Sequence, residues 1–205
     1  MILEKREDKF TFPEINKRLI PSILRDYSAP VSLKTDLTLS DHIHLLRFDD
    51  NLFKKWDICQ NLHLTLLKNK NLELFSNSIK QLINNTSIDN SILSLILTPP
   101  SYRTFQNNLS NYDPLDLYDI RNSYLIKFYK NLEDDLYNLF KNLLEKFYIN
   151  SDLKIRSLIK ILLEALCTID NNFAKNIAED FCDSKITEIK MIGLTSVSYT
   201  HLRAH

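Results

Sequence analysis

The spacing of apolar residues changes along the chain, from a strand-like pattern before residue 36 to a helical pattern after it. Residues 9–12 alternate polar and apolar side chains, which is the period of a β-strand. Residues 19–24 and 31–33 are candidates for further strands, with Pro21 and Pro30 suited to strand ends or sheet edges. Two or three strands cannot enclose a core by themselves. Residues 1–35 are therefore predicted to be the last strands of an incomplete β-domain, which makes the chain a fragment.

Between residues 40 and 97 the apolar side chains recur at steps of three and four, which predicts four helices. Ser40 or Asp41 is the expected N-cap of the first helix, and residues 49–51 form the negative start of the second. A third helix covers residues 72–83. The fourth is short and apolar on most sides, so we expect it to be buried.

A proline pair ends the fourth helix, and another proline begins the next one. Residues 98–101 read Thr-Pro-Pro-Ser, and a residue that precedes proline is disfavoured in helical geometry. Asp113 is then the expected N-cap, with Pro114 at the first helical position. The apolar stripe that follows extends to Tyr148 and predicts a single unbroken helix about 50 Å long. The stripe consists of Ile120, Tyr124, Leu125, Phe128, Leu132, Leu136, Leu139, Phe140, Leu143, Leu144 and Phe147.

Three more helices are predicted after the long one, joined by short polar links. Residues 150–152 cap the first of them, which carries apolar positions from Ile155 to Leu166, and the others cover residues 170–181 and 185–194. No clean sequence repeat connects the helices. The fold class is therefore mainly α: an irregular α-solenoid or helical array over residues 36–196, with a short N-terminal β remnant.

Composition excludes several classes of protein. The 26 basic and 26 acidic residues cancel, and no cluster of Lys and Arg of the kind that binds nucleic acid is present. Residues 1–14 lack the apolar core of a signal peptide, and no apolar run approaches the length of a membrane span. Three scattered cysteines argue against a disulfide framework. We therefore expect a cytoplasmic protein that binds neither nucleic acid nor membrane. The single glycine suits a helical array.

The histidines are the first candidates for chemistry. None of the five (His42, His44, His63, His201 and His205) is followed by Glu, so no zinc-peptidase helix of the form His-Glu-x-x-His is present. Cys59 and His63 lie four residues apart on one helix face and could ligate a metal together. The favoured alternative is that Cys59 packs as a small apolar residue while the histidines are surface or capping groups.

Three other features have a structural and a functional interpretation. Glu133-Asp134-Asp135 could supply paired carboxylates for acid–base chemistry, but a solvated face of the long helix is the favoured interpretation. Arg25 could contact a substrate, but we favour a structural role in which it bonds to backbone carbonyls and connects the β-region to the helices. Trp56 at helical spacing is expected to be a core residue. No catalytic, metal-binding or substrate-binding residue is therefore assigned.

Residues 20–31 carry a resemblance to a known family. The run Pro21-Ser22-Ile23-Leu24-Arg25-Asp26-Tyr27-Ser28-Ala29-Pro30-Val31 resembles the hinge of the bacterial aminopeptidase N family of gluzincin metallopeptidases, with Asp26 in place of a glycine. Asp accepts a positive φ less readily than Gly. Trp56-Asp57, the Leu97-Thr98 and Pro100-Ser101 pairs and Asp113-Pro114 match further motifs of that family in the same order.

The resemblance implies that the parent protein, an aminopeptidase of the alanyl type, removes N-terminal residues from peptides and holds one zinc ion. It implies that this fragment covers the end of a β-sandwich and the start of a C-terminal helical domain that caps the active site and limits access. Its partners would be peptide substrates of the parent enzyme and the rest of the same polypeptide. The fragment itself is expected to hold no cofactor and to be inactive. The alternative is a stand-alone helical-repeat scaffold that binds a protein or peptide partner.

The last nine residues differ in character from the rest. Residues 197–205 are similar, letter for letter, to the conceptual translation of a transposase sequencing adapter. We therefore predict that they are an artefact outside the natural protein and form no core. The pair His201 and His205 has the spacing of two zinc ligands, but Leu and Arg-Ala lie between them. A helical domain stopping here would leave an exposed apolar edge at Ile186, Ile189, Ile192 and Leu194.

Overall fold

The computed structural model describes residues 9, 11, 16–29, 31, 33–67, 72–109, 112–149 and 152–201, and within these ranges the chain is a helical array. This confirms the mainly α fold class. Ten α-helices follow one another in the described part: α1 (Leu39–Phe48), α2 (Leu52–Leu66), α3 (Leu72–Ile83), α4 (Asn90–Leu97), α5 (Tyr102–Asn108), α6 (Pro114–Lys130), α7 (Glu133–Ile149), α8 (Leu153–Thr168), α9 (Asn172–Cys182) and α10 (Thr187–His201).

The described residues before α1 contain no strand. Residues 19–24, 31 and 33 are irregular, and Arg25–Tyr27 forms a single turn of 3₁₀-helix. The prediction of strands at 19–24 and 31–33 is therefore wrong for the described positions. An extended segment becomes a strand only when its N–H and C=O groups pair with a neighbouring strand, and the described residues supply none.

Several positions of the predicted β remnant lie outside the described residues. These include Phe10 and Phe12, which are the apolar members of the alternation at 9–12, and also Pro30 and Ser32. The alternation at 9–12 therefore stays a prediction.

The start of α1 is defined by a reciprocal pair of hydrogen bonds. The Thr38 hydroxyl accepts from the Asp41 N–H at 3.3 Å, and the Asp41 carboxylate accepts from the Thr38 N–H at 2.8 Å. This is a capping box, in which Thr38 is the N-cap. The expectation that Ser40 or Asp41 caps the helix is therefore wrong, because Asp41 bonds back to the cap residue.

The other predicted helix starts agree with the structure. Asn51 caps α2 and Asp152 caps α8 through their side-chain oxygens. Asp113 caps α6, with Pro114 in its first turn, where a missing N–H costs nothing. Helix α5 was not predicted, and its signal is Ser101, whose hydroxyl accepts from the Thr104 N–H after the proline pair.

The long helix predicted up to Tyr148 is wrong, since the chain forms two helices, α6 and α7, separated at residues 131–132. Lys127 and Lys130 lie in the last turn of α6, and Glu133, Asp134 and Asp135 lie in the first turn of α7. Cations favour the C-terminus of a helix and anions favour the N-terminus. The charges therefore mark a boundary that the apolar stripe does not reveal.

The apolar stripe nevertheless remains buried across this break. Phe128, Leu132, Leu136 and Phe140 are each no more than 1% exposed, as predicted. Trp56 differs, because it is only partly buried against the core. The prediction that Trp56 is a core residue is therefore confirmed only in part.

Helix α8 lies at the centre of the array and contacts α4, α6, α7, α9 and α10. Its apolar residues cover most of its circumference, which allows several helices to pack on it at once. Those buried are Leu158, Ile159, Leu162, Leu163, Ala165, Leu166 and Cys167. The short helix α4 packs on α8 with Leu93, Ile96 and Leu97 buried, but Leu95 is half exposed, so α4 is not buried on all sides.

Helices α9 and α10 approach each other closely at Gly193, the chain's single glycine. A Cβ added there would lie 2.6 Å from the Cys182 nitrogen and 2.7 Å from the Ala178 oxygen. Both atoms belong to the backbone of α9, so they cannot move aside as a side-chain tip could. The absence of a Cβ at Gly193 is therefore what permits the close packing of these two helices.

Helix α10 extends to His201, beyond the predicted end at residue 194. Val197 packs partly against the core, so the expectation that residues 197–205 form no core is wrong at this position. Residues 202–205 lie outside the described part of the chain. The adapter origin of 197–205 stays a prediction.

The apolar edge predicted at the end of the array is present in part. Ile186 and Leu194 are 57% and 49% exposed, and Met191 between them is 54% exposed. Ile192 is buried and Ile189 is partly buried, so these two pack inward.

Substitution Gly193→Ala tests the close approach of α9 and α10. Alanine is the better helix former by about 1 kcal/mol, so without a clash the variant would be more stable. We expect it instead to be less stable by about 1–3 kcal/mol, because the backbone of α9 must shift. Urea unfolding measures the change, and Lys190→Ala on the exposed side of α10 is the control. A Gly193→Ala variant at least as stable as the wild type would contradict the close approach.

Candidate functional site

The N-terminal segment meets the helices at the corner between α1 and α2. The Arg25 guanidinium forms an ion pair with the Asp50 carboxylate, and its Nη2 lies 3.8 Å from Asp49 Oδ1. The expected structural role of Arg25 agrees with these contacts. Its partners are carboxylates, however, and the prediction of bonds to backbone carbonyls is wrong.

Two buried charges lie behind this ion pair. Burial raises the pKa of Asp49, but the Ser22 hydroxyl, the Asn51 N–H, Arg25 and Lys55 outweigh it and hold the pKa below its usual range. Burial lowers the pKa of Lys55, and the nearby Asp49 carboxylate opposes this shift. Sequence reasoning did not identify either residue as a buried charge.

Lys55 connects the two helices of the corner. It is 5% exposed, and its ammonium donates to the Leu46 carbonyl at 2.7 Å and to the Arg47 carbonyl at 3.1 Å. Carbonyls at the end of a helix lack intrahelical partners, so Lys55 of α2 satisfies the last turn of α1. Lys55 lies on the apolar side of α2, and this position in the sequence pattern could have indicated that its side chain is buried.

The turn of the N-terminal segment has an unusual backbone. Leu24 and Asp26 adopt positive φ angles of 57° and 53°. Asp26 is the residue that replaces the glycine of the family motif, and glycine is the residue best suited to such a φ. The Asn51 amide donates to Asp26 Oδ1 at 2.7 Å, which holds the turn against the start of α2. A further contact, from Arg18 to Asp41 at 2.6 Å, lies at the start of α1.

The possible metal pair Cys59 and His63 is enclosed in the core, where both residues are 0% exposed. His63 Nδ1 lies 2.9 Å from the Tyr124 hydroxyl, within hydrogen-bond distance, and the ring is surrounded edge-on by Phe75, Tyr124 and Phe128. Burial raises the pKa of the Cys59 thiol, which disfavours the thiolate that a metal requires. Cys59 packs as a small apolar residue, but His63 is neither a surface nor a capping group.

The remaining histidines do not converge on these two. A His42 ring nitrogen lies 2.9 Å from the Thr38 carbonyl at the start of α1, and His44 is exposed. The side chain of His201 and all of His205 lie outside the described part. Over the described ranges, no three His, Cys, Asp or Glu residues are grouped as metal ligands. The described residues therefore do not fit a zinc ion, and that the chain binds none stays a prediction.

The acidic run 133–135 begins α7, and its members contact different parts of the array. Glu133 pairs with Lys130 at 2.8 Å, while Asp135 accepts from the Asn84 amide at 2.9 Å. Asp134 between them is exposed. These residues form the first turn of α7 and not a solvated face of one long helix. The contacts of Glu133 and Asp135 are therefore structural, since each carboxylate connects α7 to a neighbouring segment.

Clefts on the described part of the array include two that border α2. A cleft of about 690 Å³ separates the N-terminal segment from α1 and α2, and its walls include Val31, Leu37, Phe53 and Asp57. A second, of about 450 Å³, lies between α2, α4, α6 and α8. Both volumes lie within the range of small-molecule sites.

Two family models match the chain, one after the other. Residues 39–202 match a domain of unknown function, DUF3458_C, described as ARM repeats. The chain belongs to this family. Residues 1–36 match a second domain of unknown function, DUF3458, described as having an Ig-like fold.

Curated relatives carry the name Aminopeptidase N. The protein from Haemophilus influenzae is 29% identical over 143 residues, which are 64% of this chain and 16% of the relative. The protein from Escherichia coli is 24% identical over 140 residues, 63% of this chain and 16% of the relative. These relatives confirm the resemblance to bacterial aminopeptidase N. The matches span about a sixth of the relatives' length.

A solved structure shares the fold. The crystal structure of Legionella pneumophila aminopeptidase A in complex with aspartic acid matches with a TM-score of 0.82. The match covers 97% of this chain and 26% of that chain at 24% identity. None of the helices in the described ranges combines the length and the hydropathy that a membrane span requires.

Substitutions of Asp26 test the turn. Asp26→Ala loses the bond from Asn51 and places an ordinary side chain at a positive φ, which together cost about 1–2 kcal/mol. Asp26→Asn keeps the acceptor oxygen and tolerates this φ. We expect amide hydrogen exchange in residues 20–29 to be about tenfold faster in the alanine variant and little changed in the asparagine variant. Equal exchange in the two variants would contradict this account of the turn.

Burial of His63 predicts a loss of stability in acid. Burial, with a smaller effect of Arg121, lowers the pKa of His63 from 6.5 to about 3. Below pH 6.5 the unfolded chain binds a proton that the folded chain does not, so the free energy of unfolding falls by about 1.4 kcal/mol per pH unit until about pH 3. Urea unfolding from pH 7 to pH 4 measures this slope. His63→Phe should reduce the slope, whereas His44→Phe, at an exposed position, should leave it unchanged. An unchanged slope in His63→Phe would show that His63 is not its source.

Proposed function

We propose that the chain is a non-catalytic part of a zinc aminopeptidase that removes N-terminal residues from peptides. The observation that carries the proposal is the succession of two family matches, Ig-like over 1–36 and helical over 39–202, together with relatives named Aminopeptidase N. The catalytic residues and the zinc site of that enzyme would lie elsewhere in the polypeptide. Zinc would supply a polarised water for peptide hydrolysis.

The proposed role of the helical array is to cap the active site and limit access to small peptides. Support comes from the contacts of Arg25 with Asp49 and Asp50 and of Asn51 with Asp26, which hold the array against the segment before it. A cap must keep a fixed position relative to the domain that it covers. We further propose the division into residues 1–35, 36–196 and 197–205, and a cytoplasmic location.

The test compares the 205-residue chain with the full-length protein encoded at the same locus. We expect the full-length protein to hydrolyse an alanyl-anilide substrate and to lose this activity when zinc is chelated. We expect the 205-residue chain to hydrolyse none and to bind no stoichiometric zinc, because no histidine in it is followed by Glu. Activity of the purified chain that persists after contaminants are removed would refute its non-catalytic role.

Access is tested separately with peptides of increasing length. If the array limits access, the full-length protein should cleave short peptides faster than long ones and leave a folded protein with the same N-terminal residue intact. Equal rates on the short peptide and the folded protein would refute the capping role while leaving the peptidase assignment in place.

A further inference from the structure

The cleft of about 450 Å³ between α2, α4, α6 and α8 is lined by both apolar and charged side chains, and hydrogen bonds hold one of its walls in place. We call it the Trp56 cleft, and its lining includes Trp56, Pro100, Arg121, Tyr129, Ile161 and Glu164. The Gln60 amide donates to the Thr98 carbonyl at 2.9 Å, and Arg121 Nη2 donates to the Pro100 carbonyl at 3.3 Å. The linker between α4 and α5 is thus bonded to α2 and to α6, so the cleft is formed before any ligand binds.

Glu164 is the unusual residue of this cleft. It lies within the apolar run of α8, and its side chain is only 19% exposed. Lys160 Nζ lies 3.9 Å from Glu164 Oε1, beyond hydrogen-bond distance, and the Lys160 side chain is 46% exposed. Burial raises the pKa of Glu164, and Lys160 and the Thr195 hydroxyl offset only part of this rise. A desolvated carboxylate of this kind is stabilised by a cation that approaches closely.

The rest of the lining restricts what that cation can be attached to. Trp56 and Tyr129 offer aromatic surface, which packs against apolar groups and attracts cations at the ring face. Leu125 and Ile161 add aliphatic surface. The lining thus combines the Glu164 carboxylate and the Arg121 guanidinium with largely apolar walls, and the volume suits a small molecule.

We propose that the Trp56 cleft binds a primary ammonium group attached to a small apolar body, with Glu164 as its counter-ion. Amino acids and peptide N-termini share this chemistry. Arg121 in the same lining would pair with the carboxylate of a free amino acid, which a peptide N-terminus lacks at that place. The ammonium site rests on the proposed function only in the choice of natural ligand, because an aminopeptidase binds peptide N-termini and releases free amino acids.

The chain's single tryptophan makes the test direct, because indole fluorescence comes from Trp56 alone. The 205-residue chain is titrated with L-leucinamide, which carries the amine, and with 4-methylpentanamide, which has the same body without it. We expect a saturable change in fluorescence with leucinamide alone. Glu164→Gln should weaken binding at least about tenfold, whereas Glu145→Gln, at an exposed position of α7, should leave it unchanged.

Comparison with L-leucine separates the two sources. If leucine binds more tightly than leucinamide, and if Arg121→Gln removes this preference, the natural ligand is a free amino acid. If leucine binds equally well or more weakly, the natural ligand is a peptide N-terminus. Both outcomes support a binding site for an ammonium group. Circular dichroism confirms that each variant keeps its helices. The proposal is overturned if equilibrium dialysis with labelled leucinamide finds no saturable binding, if 4-methylpentanamide binds equally well, or if folded Glu164→Gln binds leucinamide as the wild type does. None of these binding measurements depends on peptidase activity, so they test the ammonium site independently of the proposed function.

Discussion

The burial of α8 is the constraint on which the rest of the array depends. This helix is apolar around most of its circumference, and in the described part of the chain α4, α6, α7, α9 and α10 contact it. Removing that surface from water stabilises the array at about 25 cal/mol for each Å². Each of these neighbours covers one part of that surface. Glu164 interrupts the apolar surface of α8 and faces a cleft, so the helix that organises the core also supplies a carboxylate to that cleft.

A second group of contacts holds the N-terminal segment to the array. Lys55 closes the end of α1, Asp49 interacts with both Lys55 and Arg25, and Asp26 accepts from the asparagine side chain that also caps α2. Buried charges are costly unless they are paired, so these groups depend on one another. The corner between α1 and α2 is consequently the place where a change in either part would affect the other.

Helices could be predicted where the capping residues and the spacing of apolar side chains indicate the same boundary, as at Asp113 and Pro114. The break between α6 and α7 at residues 131–132 was not predicted, because the apolar stripe continues across it. Only the change from lysines to carboxylates marks it. Strands near residue 20 were wrongly predicted, since strand formation depends on a partner and not on the segment alone. The burial of His63 and Lys55 depends on contacts between distant residues, which periodicity cannot supply. The family resemblance, by contrast, could be recognised from the run at residues 20–31 and from the order of the shorter motifs that follow it.

The contact at Gly193 has a consequence for how this sequence can change over generations. Every other amino acid carries a Cβ, and a Cβ here meets backbone atoms of the neighbouring helix. A mutation that replaces this glycine is therefore harmful on its own, and it becomes tolerable only after an earlier change has moved α9 away. The order in which substitutions can accumulate is thus restricted at this position, while the exposed positions of the same helix can vary independently.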